Sequence, residues 1–153
     1  MSKKKMSDTF RKFKIKGPNI SISLFDGDTA VKFERKIAKA QYLLDEIIKH
    51  DTEPYVPFRT GTLANTVNMT ESGSGQVVYN GPQARYLYEG RLMVSPKTGS
   101  SYAALGEKKI LTKKHLQYDK TAHPLAGAMW FDRAEKVNGE RWVEAAKEGF
   151  RDG

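Results

Sequence analysis

The sequence predicts an α+β fold, in which a long N-terminal helix and a C-terminal helical segment pack on a small, mostly antiparallel sheet. Three observations indicate it: an apolar stripe at helical spacing over residues 30–49, short β-branched segments separated by glycine-rich turns, and a second helical pattern after Pro124. The 153 residues suit one domain with its own core. We expect a basic arm over residues 1–17 and a single domain over residues 18–153, with a long loop insertion at about 95–123.

The domain is predicted to begin with a strand and a long helix. Ile20, Ile22 and Leu24 alternate with polar residues, which is the period of a half-buried strand. N-cap candidates over residues 26–29 then start a helix over residues 30–49. One apolar stripe runs along this helix, made of Phe33, Ile37, Ala40, Leu44 and Ile47. Because the pattern stops after a few turns, we expect it to pack on the domain's own sheet rather than in a coiled coil.

The segment after the helix predicts a β-hairpin. Pro54 and Pro57 end the helix and favour an extended chain. Residues 63–70 are rich in β-branched side chains, which are typical of a strand. A Gly/Ser turn over residues 71–75 follows, and residues 76–80 form the returning strand. These two strands are expected to lie in the sheet beneath the helix.

The second half of the chain is less regular. We predict a short helical turn over residues 83–88. Residues 92–94 are a candidate strand, and two further candidates lie at 110–112 and 116–118, inside a stretch of loop composition.

The C-terminal region is predicted to be helical in two parts. Pro124 fits its start, because proline is favoured in the first turn of a helix. Asn138 and Gly139 are expected to break the helix, with Asn138 capping a second one.

The net charge of +8 is concentrated in two clusters. Each cluster is either a solvated surface or a contact for phosphate or for an acidic protein face. The candidate contact residues are Lys3, Lys4, Lys5, Phe10, Arg11, Lys12 and Phe13 in the arm, and Lys108, Lys109, Lys113 and Lys114 in the loop insertion, where Lys120 adds to the charge. Because the arm is charged and its two phenylalanines have no local apolar partner, we expect residues 2–16 to become ordered only on a partner.

The composition argues against several classes of protein. No apolar run approaches the ~20 residues that a membrane helix needs, and no secretory signal pattern is present. Zero cysteines exclude disulfides, thiolate catalysis and cysteine-bound zinc, and are compatible with a reducing cytoplasm.

A reaction centre is not indicated. His115, Asp119 and His123 share the spacing of helical metal ligands, but Pro124 disfavours a helix there. The sequence contains no nucleophile elbow and no phosphate-binding glycine loop. We therefore expect no catalytic residue, no metal and no cofactor.

Three short motifs carry the most information. They are Arg59-Thr60-Gly61-x-Leu63, Tyr86-x-x-Glu89-Gly90 and Trp130-Phe131-x-x-Ala134. In this order they resemble the small minor capsid or head–tail joining proteins of long-tailed bacteriophages, over residues 18–150. Gly61 suits a positive φ at the start of a strand. Because the first two motifs look mutually close in that family, Arg59 is a candidate ion-pair partner of Glu89, the alternative being an exposed arginine.

The aromatic residues in and around the motifs are expected in the core or at an interface. Tyr86 and Tyr88 are amphipathic and suit either the edge of a core or an interface. Trp130 and Phe131 are expected in the core.

The resemblance implies a structural virion protein of the phage neck. Copies would form a ring that connects the DNA-filled head to the tail, as a head–tail joining or tail-completion component, without chemistry. Its partners would be further copies of itself, neighbouring neck, portal-adaptor and tail proteins, and DNA touched non-specifically in the channel. The protein would be assembled in the bacterial host cytoplasm and reside in the virion. A basic nucleic-acid-binding module is the alternative.

Overall fold

A computed structural model describes residues 14–16, 21–23 and 27–153 of the chain. Its helices and strands, in chain order, are β1 Lys14–Lys16, β2 Ser21–Ser23, α1 Gly27–Thr52, α2 Thr62–Thr66, α3 Ala84–Glu89, β3 Arg91–Val94, β4 Ile110–His115 and α4 Trp130–Asp152. Two short 3-10 segments, Glu53–Tyr55 and Val67–Met69, follow α1 and α2. The strands form two separate antiparallel pairs, β1 with β2 and β3 with β4. The α+β class is confirmed.

Helix α1 confirms the predicted helix over residues 30–49 and extends beyond it at both ends. It packs antiparallel on α4, because Phe33 near its start meets Phe150 near the end of α4, with ring centroids 5.6 Å apart. At the other end of the pair, Trp142 Nε1 donates a hydrogen bond to the buried Asp51 Oδ2 at 2.9 Å. The prediction that this helix packs on a sheet is therefore wrong, since its main partner is another helix.

The predicted hairpin of residues 63–70 and 76–80 is also wrong. The first segment is helical, as α2 followed by Val67–Met69, and neither segment is a strand. The hydrogen bonds of Thr66 explain why this β-branched residue is compatible with a helix. Its hydroxyl donates to the Leu63 carbonyl at 2.6 Å and accepts from the Asn80 amide at 3.1 Å, so it joins the two segments through a side chain.

The short helix and the second strand pair match the sequence better. Helix α3 confirms the helical turn predicted over residues 83–88. Strands β3 and β4 confirm the candidate strands at 92–94 and 110–112, with Val94 opposite Ile110. Residues 116–118, by contrast, are not a strand.

Helix α4 begins at Trp130, so the predicted start at Pro124 is wrong. The helix is also continuous to Asp152, so the predicted break at Asn138 and Gly139 is wrong. Asn138 does not cap a new helix. Its side-chain amide donates to the Ala134 carbonyl at 3.1 Å, one turn earlier in the same helix. Packing of α4 against α1 stabilises the helical conformation despite the low helix propensity of Asn138 and Gly139.

The N-terminal predictions fall largely outside the described residues. Strand β2 confirms residues 21–23 of the first predicted strand, and β1 forms an antiparallel pair with it. Residues 14–16, at the end of the arm, are therefore a strand, which contradicts the expected disorder for those residues. The arm residues Lys3, Lys4, Lys5, Phe10, Arg11, Lys12 and Phe13 lie outside the part that the structure describes.

The core lies where the short helices meet the start of α4. Val56, Leu63, Ala64 and Trp130 form its buried centre. Partly buried rings and aliphatic side chains surround them, including Phe58, Tyr79, Leu87, Tyr88 and Phe131. This core fixes α2, α3 and α4 relative to one another, and β3 leaves it directly after α3.

Candidate assembly surface

All three sequence motifs meet at this core. Leu63 of the first motif and Trp130 of the third belong to the same buried cluster, and Trp130 is only 2% exposed. The ring of Tyr88, inside the second motif, lies perpendicular to Trp130 with centroids 4.7 Å apart. The Tyr88 carbonyl also accepts a hydrogen bond from the Met129 amide at 2.8 Å. The motifs therefore build the joint between α2, α3 and α4.

The first motif starts a helix and not a strand, which corrects the sequence interpretation. Gly61 precedes α2 with φ of 77°, and a Cβ there would lie 2.9 Å from the ring of Phe58. Both the backbone conformation and the contact favour glycine. Leu63 is buried, whereas Arg59 and Thr60 are exposed.

The predicted ion pair between Arg59 and Glu89 is not formed. Glu89 Oε1 lies 3.2 Å from Arg85 Nε, one helical turn away on α3. Hydrogen bonds from Thr121 hold the pKa of Asp119 below its ordinary value, with a minor contribution from the charge of Arg59. The two motifs are nevertheless neighbours, because Arg59, Leu63 and Tyr86 line one cleft of about 550 Å³. Tyr86 therefore lies at the edge of the core, half-buried.

Gly90 ends the second motif and links α3 to the strands that follow. It takes φ of 71° at the C-terminus of α3, and its amide donates to the Tyr86 carbonyl at 2.9 Å. A Cβ on Gly90 would lie 2.7 Å from the Ala128 Cβ. Its carbonyl accepts from the Leu116 amide at 2.9 Å, just beyond β4. This one residue thus fixes where β3 and β4 leave the body.

The third motif holds α3 through a tyrosine–carboxylate bond. Tyr88 donates its hydroxyl proton to Asp132 Oδ2 at 2.8 Å. Partial burial, together with this bond, raises the pKa of Tyr88 to about 12. Ala134 is fully buried and Phe131 is half-buried, so Phe131 is only partly the core residue that was expected.

Beyond Gly90 the chain forms what we call the hairpin arm, residues 91–115, comprising β3, β4 and their connecting loop. The four candidate contact lysines on it, Lys108, Lys109, Lys113 and Lys114, are all exposed. Residues 91–120 contain seven lysines and arginines against two acids, a net charge of +5. Among the ion pairs of the described residues, none involves any of these seven cations.

A buried serine organises the loop of the hairpin arm. Ser95 is 1% exposed, and its hydroxyl donates to Glu107 Oε1 at 2.7 Å. The other carboxylate oxygen of Glu107 accepts from the Ala104 amide at 3.0 Å. Because these bonds favour the charged form, the bond from Ser95 above all, the pKa of Glu107 lies below its ordinary value. The loop is thus an ordered structure.

This ordered loop presents two large apolar side chains to solvent. Tyr102 is 86% exposed, and Leu105 is fully exposed. Every hydrogen bond that residues 96–109 make with the described chain stays within residues 95–107. Sequence reasoning missed this feature, since two apolar residues in a Gly/Ser-rich stretch give no periodic signal.

On the body, an open apolar groove lies between α1, the segment before α3, and the start of α4. We call it the helix groove; it has a volume of about 800 Å³. Its apolar lining includes Leu44, Ile48, Val77, Tyr79, Trp130 and Phe131. A second groove of about 750 Å³ continues from it along α1 and α4 and shares Leu44, Ile48 and Phe131. The sequence gives no direct sign of the helix groove, because its walls come from segments far apart in the chain.

The carboxylate of Asp45 lines the helix groove. Asp45 is buried, and its oxygens accept hydrogen bonds from the Gln41 side chain at 2.7 Å and from the Gly73 and Gly75 amides at 2.7 and 3.0 Å. The described residues provide it with no ion-pair partner. Asp45 therefore fixes the loop over residues 71–75 against α1 and adds negative charge to this wall.

The residues considered for metal binding each have another role. His123 Nδ1 donates to the Val56 carbonyl at 2.8 Å, and its ring lies 4.8 Å from that of Phe58. Asp119 accepts from the Thr121 amide at 2.9 Å, and His115 is exposed on β4. Within the described part of the chain, no group of three or more potential metal ligands is placed to hold a metal ion.

The three motifs build a scaffold, and the hairpin arm and the helix groove are its exposed features. The chain matches the family model described as minor capsid protein over residues 20–150. It therefore belongs to this phage family of minor capsid proteins and is a structural protein of the virion. No curated protein and no solved structure matches it. Within the described residues, no helix is both long and apolar enough to span a membrane.

Proposed function

We propose that this protein is a component of the phage neck that assembles as a ring and connects the DNA-filled head to the tail. Membership of the minor capsid family, over most of the chain, supports a role in the particle. The observation that carries the more specific proposal is the hairpin arm, an ordered projection with apolar and basic side chains that find no partner within the described residues.

The architecture is suited to a closed ring. A ring requires heterologous contacts, in which one face of a subunit meets a different face of the next. The hairpin arm and the helix groove are two such faces, since they lie on different elements. Exposed apolar surface of this kind marks interaction sites in proteins that otherwise remain soluble.

Electron microscopy of the purified protein tests the proposal. We expect rings, or arcs of a ring, when the protein is mixed with the portal–adaptor complex of the phage that encodes it. The same complex mixed with an arm-deleted variant, lacking residues 96–109, should remain uncapped. A portal–adaptor complex that binds no wild-type protein at any concentration would contradict the proposed position in the neck.

Nucleic-acid binding is a second candidate, favoured by one specific observation. The net charge of +5 over residues 91–120 is carried by side chains with no ion-pair partner in the described residues, and clustered cations bind phosphate. Duplex binding measured against salt concentration separates the two functions. A neck subunit should show weak affinity as a monomer, whereas a dedicated binder should show strong affinity that falls steeply as salt rises.

A further inference from the structure

We propose that the tip of the hairpin arm of one subunit inserts Tyr102 and Leu105 into the helix groove of the next copy. This inference rests on the proposed ring and names the contact that closes it. The occupant of the groove is thus a second copy of this chain.

The arm tip has the properties of a preformed ligand. Its loop is held by the Ser95–Glu107 bond and by backbone bonds such as Ser95 N to Ser100 O at 2.8 Å. An ordered loop loses less conformational entropy on binding than a flexible one. Tyrosine is also favoured at interface centres, because it combines a large apolar ring with a polar tip.

The helix groove matches that ligand in size and in chemistry. Its volume of about 800 Å³ falls within the roughly 300–1,000 Å³ of clefts that enclose compact ligands. Its walls offer the partly buried rings of Tyr79 and Phe131 to the inserted side chains. The whole arm also has about the number of residues, roughly 20–30, that one side of a standard interface provides.

Charge favours this groove over the one that continues from it. The helix groove contains Asp45 without an ion pair in the described residues, and its one arginine, Arg85, is paired with Glu89. In the second groove, Lys147 and Arg151 both pair with Glu144, and together with Glu135 these charges balance. An arm with net positive charge is therefore attracted more to the first groove, where the charge of Asp45 is not balanced.

Cysteine cross-linking provides the decisive experiment, because the chain has no native cysteine. Leu105→Cys and Val77→Cys are introduced together, so that the arm tip and the groove wall each carry one thiol. Under oxidation, particles built with this protein should give a ladder of disulfide-linked chains on a non-reducing gel. Each single variant should give none.

A matched control replaces the groove cysteine with Lys136→Cys, on the exposed side of α4 and outside both grooves. The pair Leu105→Cys and Lys136→Cys should give no ladder. Equal ladders from both pairs, or no ladder from the first pair in particles that contain the protein, would overturn the proposal. A linked monomer would show instead that the arm occupies its own groove.

A mixing experiment tests the direction of the contact. Leu105→Ser with Tyr102→Ser disables the arm, and Val77→Glu blocks the groove. Each protein alone should be monomeric, while an equal mixture should stop at a dimer, because only one productive contact remains. Rings from either variant alone would overturn the inference but leave the neck function standing. Joined heads and tails in phage lacking the protein would defeat the function itself.

Residues 1–26 of the same chain are the competing occupant of the groove. If they cover it, Val77→Cys in the isolated monomer is protected from a maleimide reagent, and deletion of residues 1–26 restores its reaction. We expect equal, rapid reaction with and without these residues, and loss of reaction only on assembly. Protection in the monomer would overturn the proposal.

Discussion

Glycines at the ends of the short helices show how single residues position the candidate assembly surface. Gly61 and Gly90 both have positive φ and both have a side chain where a Cβ would be placed. They belong to the first two motifs by which the sequence resembles its family, so backbone geometry explains the glycines of those motifs. The exit of the hairpin arm from the body depends directly on Gly90.

We predict that Gly90→Ala destabilises the protein strongly. An alanine in the left-handed conformation costs roughly 1–2 kcal/mol, and overlap with Ala128, whose Cβ would be 2.7 Å away, adds about 1–3 kcal/mol. Gly106→Ala is the matched control, with φ of 80° and no atom within 4 Å of its Cβ. Urea unfolding of both variants measures the difference. Equal losses would show that the Ala128 contact is unimportant.

The bond between Tyr88 and Asp132 predicts a change of stability at alkaline pH. Since the folded pKa of Tyr88 is raised to about 12 from 10.0, its stabilising effect is complete below pH 10 and is lost as pH rises toward 12. Tyr88→Phe should cost about 1 kcal/mol at neutral pH and reduce the loss of stability between pH 10 and 12.

Unfolding free energies measured at pH 7 and above pH 10 check this prediction. Tyr102→Phe, on the exposed arm tip, is the control and should change neither value. An alkaline loss in Tyr88→Phe equal to that of the wild type would assign the effect to other tyrosines, such as Tyr79 and Tyr118, whose pKa values burial also raises.

At the scale of elements, the antiparallel pair α1–α4 is the backbone of the molecule. The two helices lie close together at Gly149, where a Cβ would lie 2.8 Å from the Ala40 Cα. A contact with backbone cannot be relieved by a change of side-chain rotamer. Trp142 and Phe150, on the same helix, also contact α1, at Asp51 and Phe33.

Gly149→Ala should accordingly destabilise the protein, although alanine favours helices. The helix-propensity gain is about 1 kcal/mol, and we expect the overlap with α1 to exceed it, at about 1–3 kcal/mol. Gly139→Ala in the same helix meets only the Glu135 side chain, at 3.7 Å, and should stabilise by up to about 1 kcal/mol. Thermal unfolding of the two variants should thus shift in opposite directions, and shifts of the same sign would contradict the close packing.

The loop of the hairpin arm makes a prediction for acid pH. Because the hydrogen bond from Ser95 is the main cause of the lowered pKa of Glu107, Ser95→Ala should move that pKa up toward its ordinary value of 4.5. In the wild type, the ionised Glu107 carboxylate stabilises the folded state at pH values above its ordinary pKa of 4.5. This stabilisation is lost as the pH falls through the lowered pKa of Glu107 in the folded state. NMR titration of the carboxyl groups measures this. Asp119, whose pKa is lowered by Thr121, is an internal control that should not move.

Local structure follows the sequence pattern in some elements and tertiary contacts in others. Residues 30–49 were predictable because a long amphipathic stripe is a strong signal. Residues 63–70 were not, because threonine side chains hydrogen-bond within the helix and to residues 76–80, and so overrule the β preference. Asn138 and Gly139 were misjudged because packing against α1 outweighs local helix breaking. The helix groove was unpredictable, since no local pattern brings Leu44, Val77 and Trp130 together.

At the scale of the whole molecule, the fold separates a scaffold from two contact surfaces. The core at Trp130 and the α1–α4 pair stabilise the body, while the hairpin arm and the helix groove remain exposed. Such a division suits a subunit whose function is completed only by its neighbours. Membership of the minor capsid family places the protein itself in the virion.

The most direct test of the head–tail joining role is electron microscopy of lysates from a phage that lacks this gene. We predict DNA-filled heads and separate, complete tails, with joined particles restored when the wild-type protein is supplied from a plasmid. The arm-tip variant with Leu105→Ser and Tyr102→Ser should fail to restore them. Intact, infectious particles with head and tail joined in the absence of the protein would contradict the account.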